Sequence, residues 1–317
     1  EDKKIFAQAE QLRPEWVIMV EGSVRKRLEG AQREDKPTGH IELAAKTNTV
    51  LNEAKTPPFE IDIEKDPNEE LRLEYRYLDL RRDRMRKNML LRHQMLQHIR
   101  GFFYSRDFIE IETPILIKGT PEGSREYLVP SRIHHGNFYV LPQSPQQLKQ
   151  LTMIAGLDRY MQIARCFRDE DQRGDRQPEF TQVDVEMSFI EAADIMKLTE
   201  ESMSALTKDL RPDVKIQTLP FPQMTYEDAM NLYGSDKPDI RYALTFTDVT
   251  ELCRDSGFGI FANAVKAGGT VKAMRVPEGA AFSRKEIDEL TEVAKVYDAK
   301  GLAWIKKQNG KLEGVPV

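Results

Sequence analysis

Residues 167–182 read FRDEDQRGDRQPEFTQ: a strand end, a polar charged loop with Gly174 at its tip, and a returning strand. The run before it, 160–167, is strand-like. The run 180–190 (FTQVDVEMSFI) alternates, with Phe180, Val183, Val185, Met187 and Phe189 set against Gln182, Asp184, Glu186 and Ser188. The expected structure is a hairpin that presents charge. A solvated tip is the ordinary explanation of such a charge run. Two features point further. Arg168 is placed in the strand rather than at the tip, and Asp184 lies on the polar face of the next strand, beside Arg168's neighbourhood. A polar strand face inside a domain core needs partners, and a ligand is one.

Just upstream, Gln143-Ser144-Pro145-Gln146-Gln147-Leu148-Lys149 opens a helix expected over 145–155, with Ser144 as N-cap and Pro145 at the first helical position. Gln146 and Lys149 are three residues apart and share a face. Read blandly this is a helix start, but one amide and one ammonium on one face suit a small ligand carrying a carboxylate. Further helices are expected over 83–106 and 192–208. On the first, Met85, Met89, Leu96, Ile99 and Phe103 mark a packed face. Strands are expected at 108–117, where Pro114 indicates an edge or bulge, and at 138–142. Strands and helices without a regular βαβ beat indicate an α+β fold with an antiparallel core.

At the N-terminal side, a helix over 2–13 and strands at 16–27 and 41–52, joined by the loop 28–39, are too little for a closed domain. Residues 53–70 are polar and acidic and carry Pro57, Pro58 and Pro67, the composition of a linker. Turn residues at Tyr233–Pro238 mark another boundary. The resulting organisation is a first piece at 1–52, a hinge at 53–82, a main domain at 83–239 and a small α+β module at 240–317.

Composition excludes several classes. The chain has 317 residues, a net charge of −5, 40% hydrophobic and 31% charged residues, which is ordinary for a soluble globular protein. There is no run of about 20 apolar residues and no secretory leader. Cys166 and Cys253 alone make neither a disulfide framework nor a zinc site, and a reducing compartment is the natural setting. There is no GxxxxGK[ST] phosphate loop, and the five histidines show no metal-ligand spacing.

Phe167–Glu170 followed by Arg176–Gln182 resembles motif 2 of class II aminoacyl-tRNA synthetases, and 107–116 with Pro114 resembles motif 1. Gln143–Gln146 with Lys149 resembles the aspartate-binding helix of the bacterial-type aspartyl branch. Ile117–Gly123 resembles its amino-acid-covering loop, and Gly234–Asp239 the start of its large insertion. The motifs are collinear over essentially the whole chain. Lysyl enzymes lack the QSPQ…K pattern and asparaginyl enzymes lack the insertion.

The resemblance implies an antiparallel class II sheet flanked by helices, a partial OB-fold β-barrel over 1–52 that reads the anticodon, a partial α+β insertion over 240–317, and a homodimer through motif 1 around Pro114. It implies a cytoplasmic aspartate–tRNA ligase acting on ATP, L-aspartate and tRNA-Asp, with tRNA-Asn as a further acceptor to be tested. By position, Arg168 would be catalytic, holding the ATP α-phosphate and the aspartate carboxylate. Asp169, Glu170 and Gln177 would contact ATP, and Phe180 would stack on adenine. Lys149 would pair with the substrate side chain, and Glu122, Ser144, Gln146 and Asp184 would surround the ammonium. Mg2+ would enter with ATP, its protein ligands being expected outside this sequence along with motif 3. By the same resemblance the first OB strands and the second half of the catalytic domain are not in these 317 residues, so this polypeptide alone is expected to be inactive in aspartate-dependent ATP–pyrophosphate exchange. The competing expectation is a non-catalytic paralogue that binds aspartate, adenylate or RNA.

Overall fold

The computed structural model describes residues 3–63, 65–119, 122–172 and 174–315. The chain divides into two compact units, Glu1–Ile216 and Gln217–Val317.

The first unit opens with helix α1 (Lys3–Gln11) and strands β1 (Val17–Lys26) and β2 (Ile41–Asn52), which pair antiparallel. The ladder shifts register between Glu21 and Gly22, where the backbones come so close that a Cβ on Gly22 would run into the Ala44 carbonyl. The Trp16 indole donates to the Ala54 carbonyl at 2.9 Å, fastening the end of the two-stranded piece to the segment that follows.

The described residues of that segment carry no helix or strand until two short helices, α2 (Glu69–Glu74) and α3 (Arg76–Asp79). Asn68 caps α2 by accepting from the Glu70 amide at 2.9 Å. Asp79 has no exposed surface and sits among Arg72, at 3.0 Å, Arg76 and Arg82, at 3.5 Å. Arg82 also donates to Asp66 at 2.7 Å and to the Ile63 and Lys65 carbonyls. Burial opposes ionisation of Asp79, but the arginines outweigh it and hold its carboxyl below the ordinary carboxylate range.

Helix α4 (Asp83–Tyr104) follows, then β3 (Ile109–Glu110), β4 (Leu128–Pro130), β5 (Phe138–Val140), α5 (Gln146–Ile154), β6 (Arg159–Phe167), β7 (Glu179–Met187) and α6 (Ala192–Leu210). The central sheet has the order β3-β6-β7. Its long ladder, β6 against β7, is antiparallel, while β3 joins β6 in parallel. One sheet face is covered by α4 and α6 through a core of Ile99, Phe102, Phe103, Phe108 and Met161, with Met95, Ile163, Val185, Met187 and Leu198 packed against it.

Three local expectations need correction. Of the strand expected over 108–117, Ile109 and Glu110 pair with β6 and Ile117 bridges Val140, while Pro114 has no N–H to continue a ladder and lies outside both. The packed stripe of α4 uses Met95, Ile99, Phe102 and Phe103, whereas Met89 is 56% exposed, because only the C-terminal half of the helix lies over the sheet. Strand alternation also assigns Phe180 differently. It shares parity with Gln182 and Asp184, so it stands on the polar face, and Phe189 lies beyond β7 at φ 56°, fully in solvent.

The second unit contains α7 (Tyr226–Tyr233), β8 (Phe246–Asp248), α8 (Thr250–Cys253), α9 (Gly259–Lys266), β9 (Lys272–Met274), α10 (Arg284–Val296), β10 (Trp304–Gln308) and β11 (Lys311–Val315). β8 pairs β9, and β10 pairs β11, both antiparallel. Its core gathers Cys253, Val265 and Val271, with Val249 and Phe261. Gly234 ends α7 in the left-handed conformation at φ 69°, the backbone that favours glycine at a helix C-terminus. Among the described residues no helix is long and apolar enough to cross a membrane.

Candidate functional site

The face of the β6–β7 ladder turned away from α4 and α6 carries Tyr160, Gln162, Ala164 and Cys166 from β6, opposite Glu186, Asp184, Gln182 and Phe180 from β7. Helix α5 packs on these two strands and sends Lys149 into the polar face. Lys149 Nζ donates to Asp184 Oδ1 at 2.6 Å and lies 3.2 Å from Glu186 Oε2. Lys149 and Asp184 are 8% and 9% exposed, so a cation and its carboxylate are held largely out of water. Burial pulls the ammonium's pKa down, but hydrogen bonds and charge from Asp184 and Glu186 win and hold it above the ordinary lysine value. The other Asp184 oxygen, Oδ2, is buried and has no partner.

The loop before α5 forms the next wall. Ser144 is not the N-cap. The cap is Pro145, with no side-chain hydrogen bond, and α5 starts at Gln146, one turn before Lys149. The Ser144 hydroxyl is engaged elsewhere, donating to Glu122 Oε2 at 3.0 Å. Gln143, 3% exposed, clamps the segment that carries Glu122: its amide donates to the Ser124 carbonyl at 3.0 Å and accepts from the Ser124 amide at 3.1 Å. Ser124 Oγ in turn bonds Glu170. Of the expected covering loop 117–123, Thr120 and Pro121 lie outside the described residues.

At the far end of the ladder, Arg168 is one residue past β6, not within it, and its amide donates to the Pro178 carbonyl at 2.8 Å. Its guanidinium carbon stands 5.1 Å from the Phe180 ring centroid, a cation–π distance, and its buried Nε has no partner. An open cleft of about 660 Å³ runs along this hairpin, its lining including Arg168, Glu170, Gln177 and Phe180. Asp169 is exposed and is not among the cleft residues; its amide donates to the Arg125 carbonyl. Arg173 of the hairpin loop lies outside the described residues.

Arg168 thus follows the Cys166–Phe180 end of the face, while Asp184 sits two rungs of that face further along, opposite Gln162. The residues group as Lys149 with Asp184, Ser144 with Glu122, and Arg168 with Phe180 over the cleft. Glu186 belongs to the constellation without a role having been assigned to it, although it follows Asp184 by two residues on the same strand face. Gln143 heads the quoted Gln143–Gln146 run, but its clamp on Ser124 carried no local signal, because it depends on a loop some twenty residues away. Among the described residues no three His, Cys, Asp or Glu side chains converge as a metal-ligand set. The thiol of Cys166 is fully buried, and that burial pushes its pKa up to about 11, leaving it an inert part of the floor.

Residues 68–308 match the family of class II tRNA synthetases for aspartate, lysine and asparagine (D, K and N). An aspartate–tRNA ligase of Geobacillus kaustophilus is 55% identical over 311 residues, covering 98% of this chain and 52% of the relative. An aspartate–tRNA(Asp/Asn) ligase of Rubrobacter xylanophilus is 51% identical over 311 residues, with 98% and 52% covered. Among solved structures, the asparaginyl-tRNA synthetase of Pyrococcus horikoshii complexed with asparaginyl-adenylate superposes with a TM-score of 0.58 at 26% identity, over 72% of this chain and 53% of that one. The chain spans about half the length of the curated relatives it matches. With the mixed α+β sheet and its charged hairpin in place, the match over most of the chain makes it a member of the class II tRNA synthetases of the aspartate, lysine and asparagine group.

Proposed function

We propose that the protein to which this sequence belongs is an aspartate–tRNA ligase, activating L-aspartate with ATP and transferring it to the 3′ end of tRNA-Asp. The observation that carries the proposal is the buried Lys149–Asp184 pair on the same sheet face as Arg168 and Phe180. Aspartate has two carboxylates and one ammonium. Lys149 is the cation for its side-chain carboxylate, and Asp184, with its free Oδ2, Glu122, Ser144 and Gln146 supply acceptors for its ammonium. Arg168 serves the α-phosphate and the reacting carboxylate, Phe180 stacks on adenine, and Asp169, Glu170 and Gln177 complete the nucleotide contacts.

In the activation step the aspartate α-carboxylate attacks the α-phosphorus in line and pyrophosphate leaves. No side chain acts as a nucleophile; Arg168 stabilises charge that spreads over phosphoryl oxygens. Mg2+ accompanies ATP as part of that substrate, and no described residue is assigned to it. In the second step the tRNA 3′-hydroxyl attacks the aspartyl carbonyl, a reaction governed by positioning. We further propose pairing of two copies through the segment around Pro114, an OB-type anticodon domain that includes residues 1–52, and a cytoplasmic setting that suits two free buried cysteines.

The test is ATP–pyrophosphate exchange by the protein expressed from its complete reading frame. Exchange that depends on aspartate and not on asparagine or lysine is expected, followed by charging of tRNA-Asp. Exchange driven by another amino acid, or none at all, overturns the proposal. Curated relatives carry both the tRNA-Asp and the tRNA(Asp/Asn) name, so charging of tRNA-Asn is measured alongside.

A further inference from the structure

Gln162 lies in β6 directly across the ladder from Asp184 and is 8% exposed. Its side-chain oxygen, Oε1, accepts from two hydroxyls: Tyr160 at 2.5 Å and Thr113 at 3.1 Å. Tyr160 has no exposed surface, so this bond forms in a dry environment. Two donors on one carbonyl oxygen occupy both its lone pairs and fix the amide plane. The NH2 end is then the part of Gln162 left to act on its surroundings, and it can only donate. Directly opposed residues on an antiparallel ladder have Cβ atoms about 5 Å apart, within reach of such a donor.

We propose that Gln162 is a positioning residue for the amino-acid end of the site. Anchored by Tyr160 and Thr113, its amide gives the Asp184 carboxylate a neighbour that donates and cannot accept. Such a neighbour does not compete for Lys149, so Oδ1 stays on the ammonium and Oδ2 is left for the substrate ammonium. Thr113 adjoins Pro114, so the same chain of bonds ties the segment after β3 to the aspartate pocket. The inference rests on the functional reading above.

The test uses the protein from its complete reading frame and the variants Gln162→Glu, Gln162→Leu and Thr113→Val. L-aspartate and ATP binding are followed by calorimetry, and KM values by exchange. Gln162→Glu preserves shape and both hydroxyl bonds but sets a carboxylate against Asp184. It is expected to raise the KM and Kd for aspartate at least 10-fold while changing those for ATP less than 2-fold. The aspartate defect of Gln162→Glu should shrink as pH falls and the added carboxylate protonates, a response that a merely structural role would not give. Gln162→Leu should show an aspartate defect without that pH dependence, and Thr113→Val a smaller one of about 2- to 5-fold. Thr113→Val leaves Gln162 in place and serves if a Gln162 variant fails to fold. Equal changes in aspartate and ATP affinity, no change in aspartate affinity, or a pH-independent defect in Gln162→Glu overturns the inference alone. A wild-type protein that binds no aspartate overturns it together with the functional reading.

Discussion

Lys149→Met removes the ammonium from between Asp184 Oδ1, 2.6 Å away, and Glu186 Oε2, 3.2 Å away. Methionine keeps the length and apolar stem of lysine, so little volume is lost and the effect is electrostatic. The Asp184 side chain is 10% exposed and that of Glu186 28%, so two carboxylates would face each other with little water to screen them. Breaking one side of a buried pair costs about 3–5 kcal/mol, and the partial exposure of Glu186 argues for the lower end, about 3 kcal/mol. The assay is urea unfolding of the chain. It has two tryptophans, Trp16 in the first unit and Trp304 in the second, so a Trp304→Phe background lets fluorescence report on the unit that holds the site. The wild-type pair is intact at the pH of this assay. The Lys149 pKa is held above 10.5, so its contribution is complete below the ordinary lysine range and is lost only as pH rises through the raised value. Adding Asp184→Asn to Lys149→Met should return at least about 1 kcal/mol, since it removes the repulsion. In the complete protein, Lys149→Met should raise the KM for aspartate 10-fold or more, because a charge-assisted hydrogen bond is worth about 1.5–3 kcal/mol. A Lys149→Met chain within about 1 kcal/mol of wild type at pH 7, with no recovery in the double variant, would refute the reasoning.

Asp79→Asn should destabilise the first unit by about 3 kcal/mol, since it leaves Arg72, Arg76 and Arg82 around a neutral amide; wild-type stability from this group should be full above pH 4 and fall as pH drops through its lowered pKa, read by urea unfolding across pH 2–5. Cys166, buried with its thiol pushed up to about 11, should resist a thiol-specific disulfide reagent at pH 8 in the folded chain and react within seconds in urea, whereas fast labelling of the native chain would contradict its burial. Phe180→Ala should raise the KM for ATP about 5-fold or more with little effect on aspartate, given about 1–3 kcal/mol for stacking a base on an aromatic ring; an unchanged KM for ATP would remove Phe180 from the adenine site.

The long elements were legible because their periodicity is their packing. The expected helix over 83–106 is Asp83–Tyr104, and the expected strands at 160–167 and 180–190 are Arg159–Phe167 and Glu179–Met187. Failures occur where a residue's local preference is overridden from a distance. Ser144 has the chemistry of an N-cap, but Glu122 takes its hydroxyl, and no local pattern announces a partner 22 residues upstream. Met89 fits the helical stripe, yet the sheet below α4 covers only its C-terminal half. Phe180 is apolar by composition and stands on the polar face by parity, beside Arg168. Parity was the better guide, because strand geometry sends alternate side chains to opposite faces whatever their polarity.

That parity also bears on which ligand suits the face. Two buried atoms on it lack partners: Arg168 Nε, which can only donate, and Asp184 Oδ2, which accepts. An anion answers the first and a cation the second. Arg168 lies against Phe180, and four residue steps along β7 lead from Phe180 to Asp184, a backbone distance of about 14 Å at 3.4 Å per residue. On the proposed function, an amino acid joined through its carboxylate to a nucleotide phosphate answers both, with its ammonium towards Asp184, its phosphate towards Arg168 and its base towards Phe180. Two orphaned atoms of opposite demand along one sheet face therefore suit the activated intermediate of the proposed reaction.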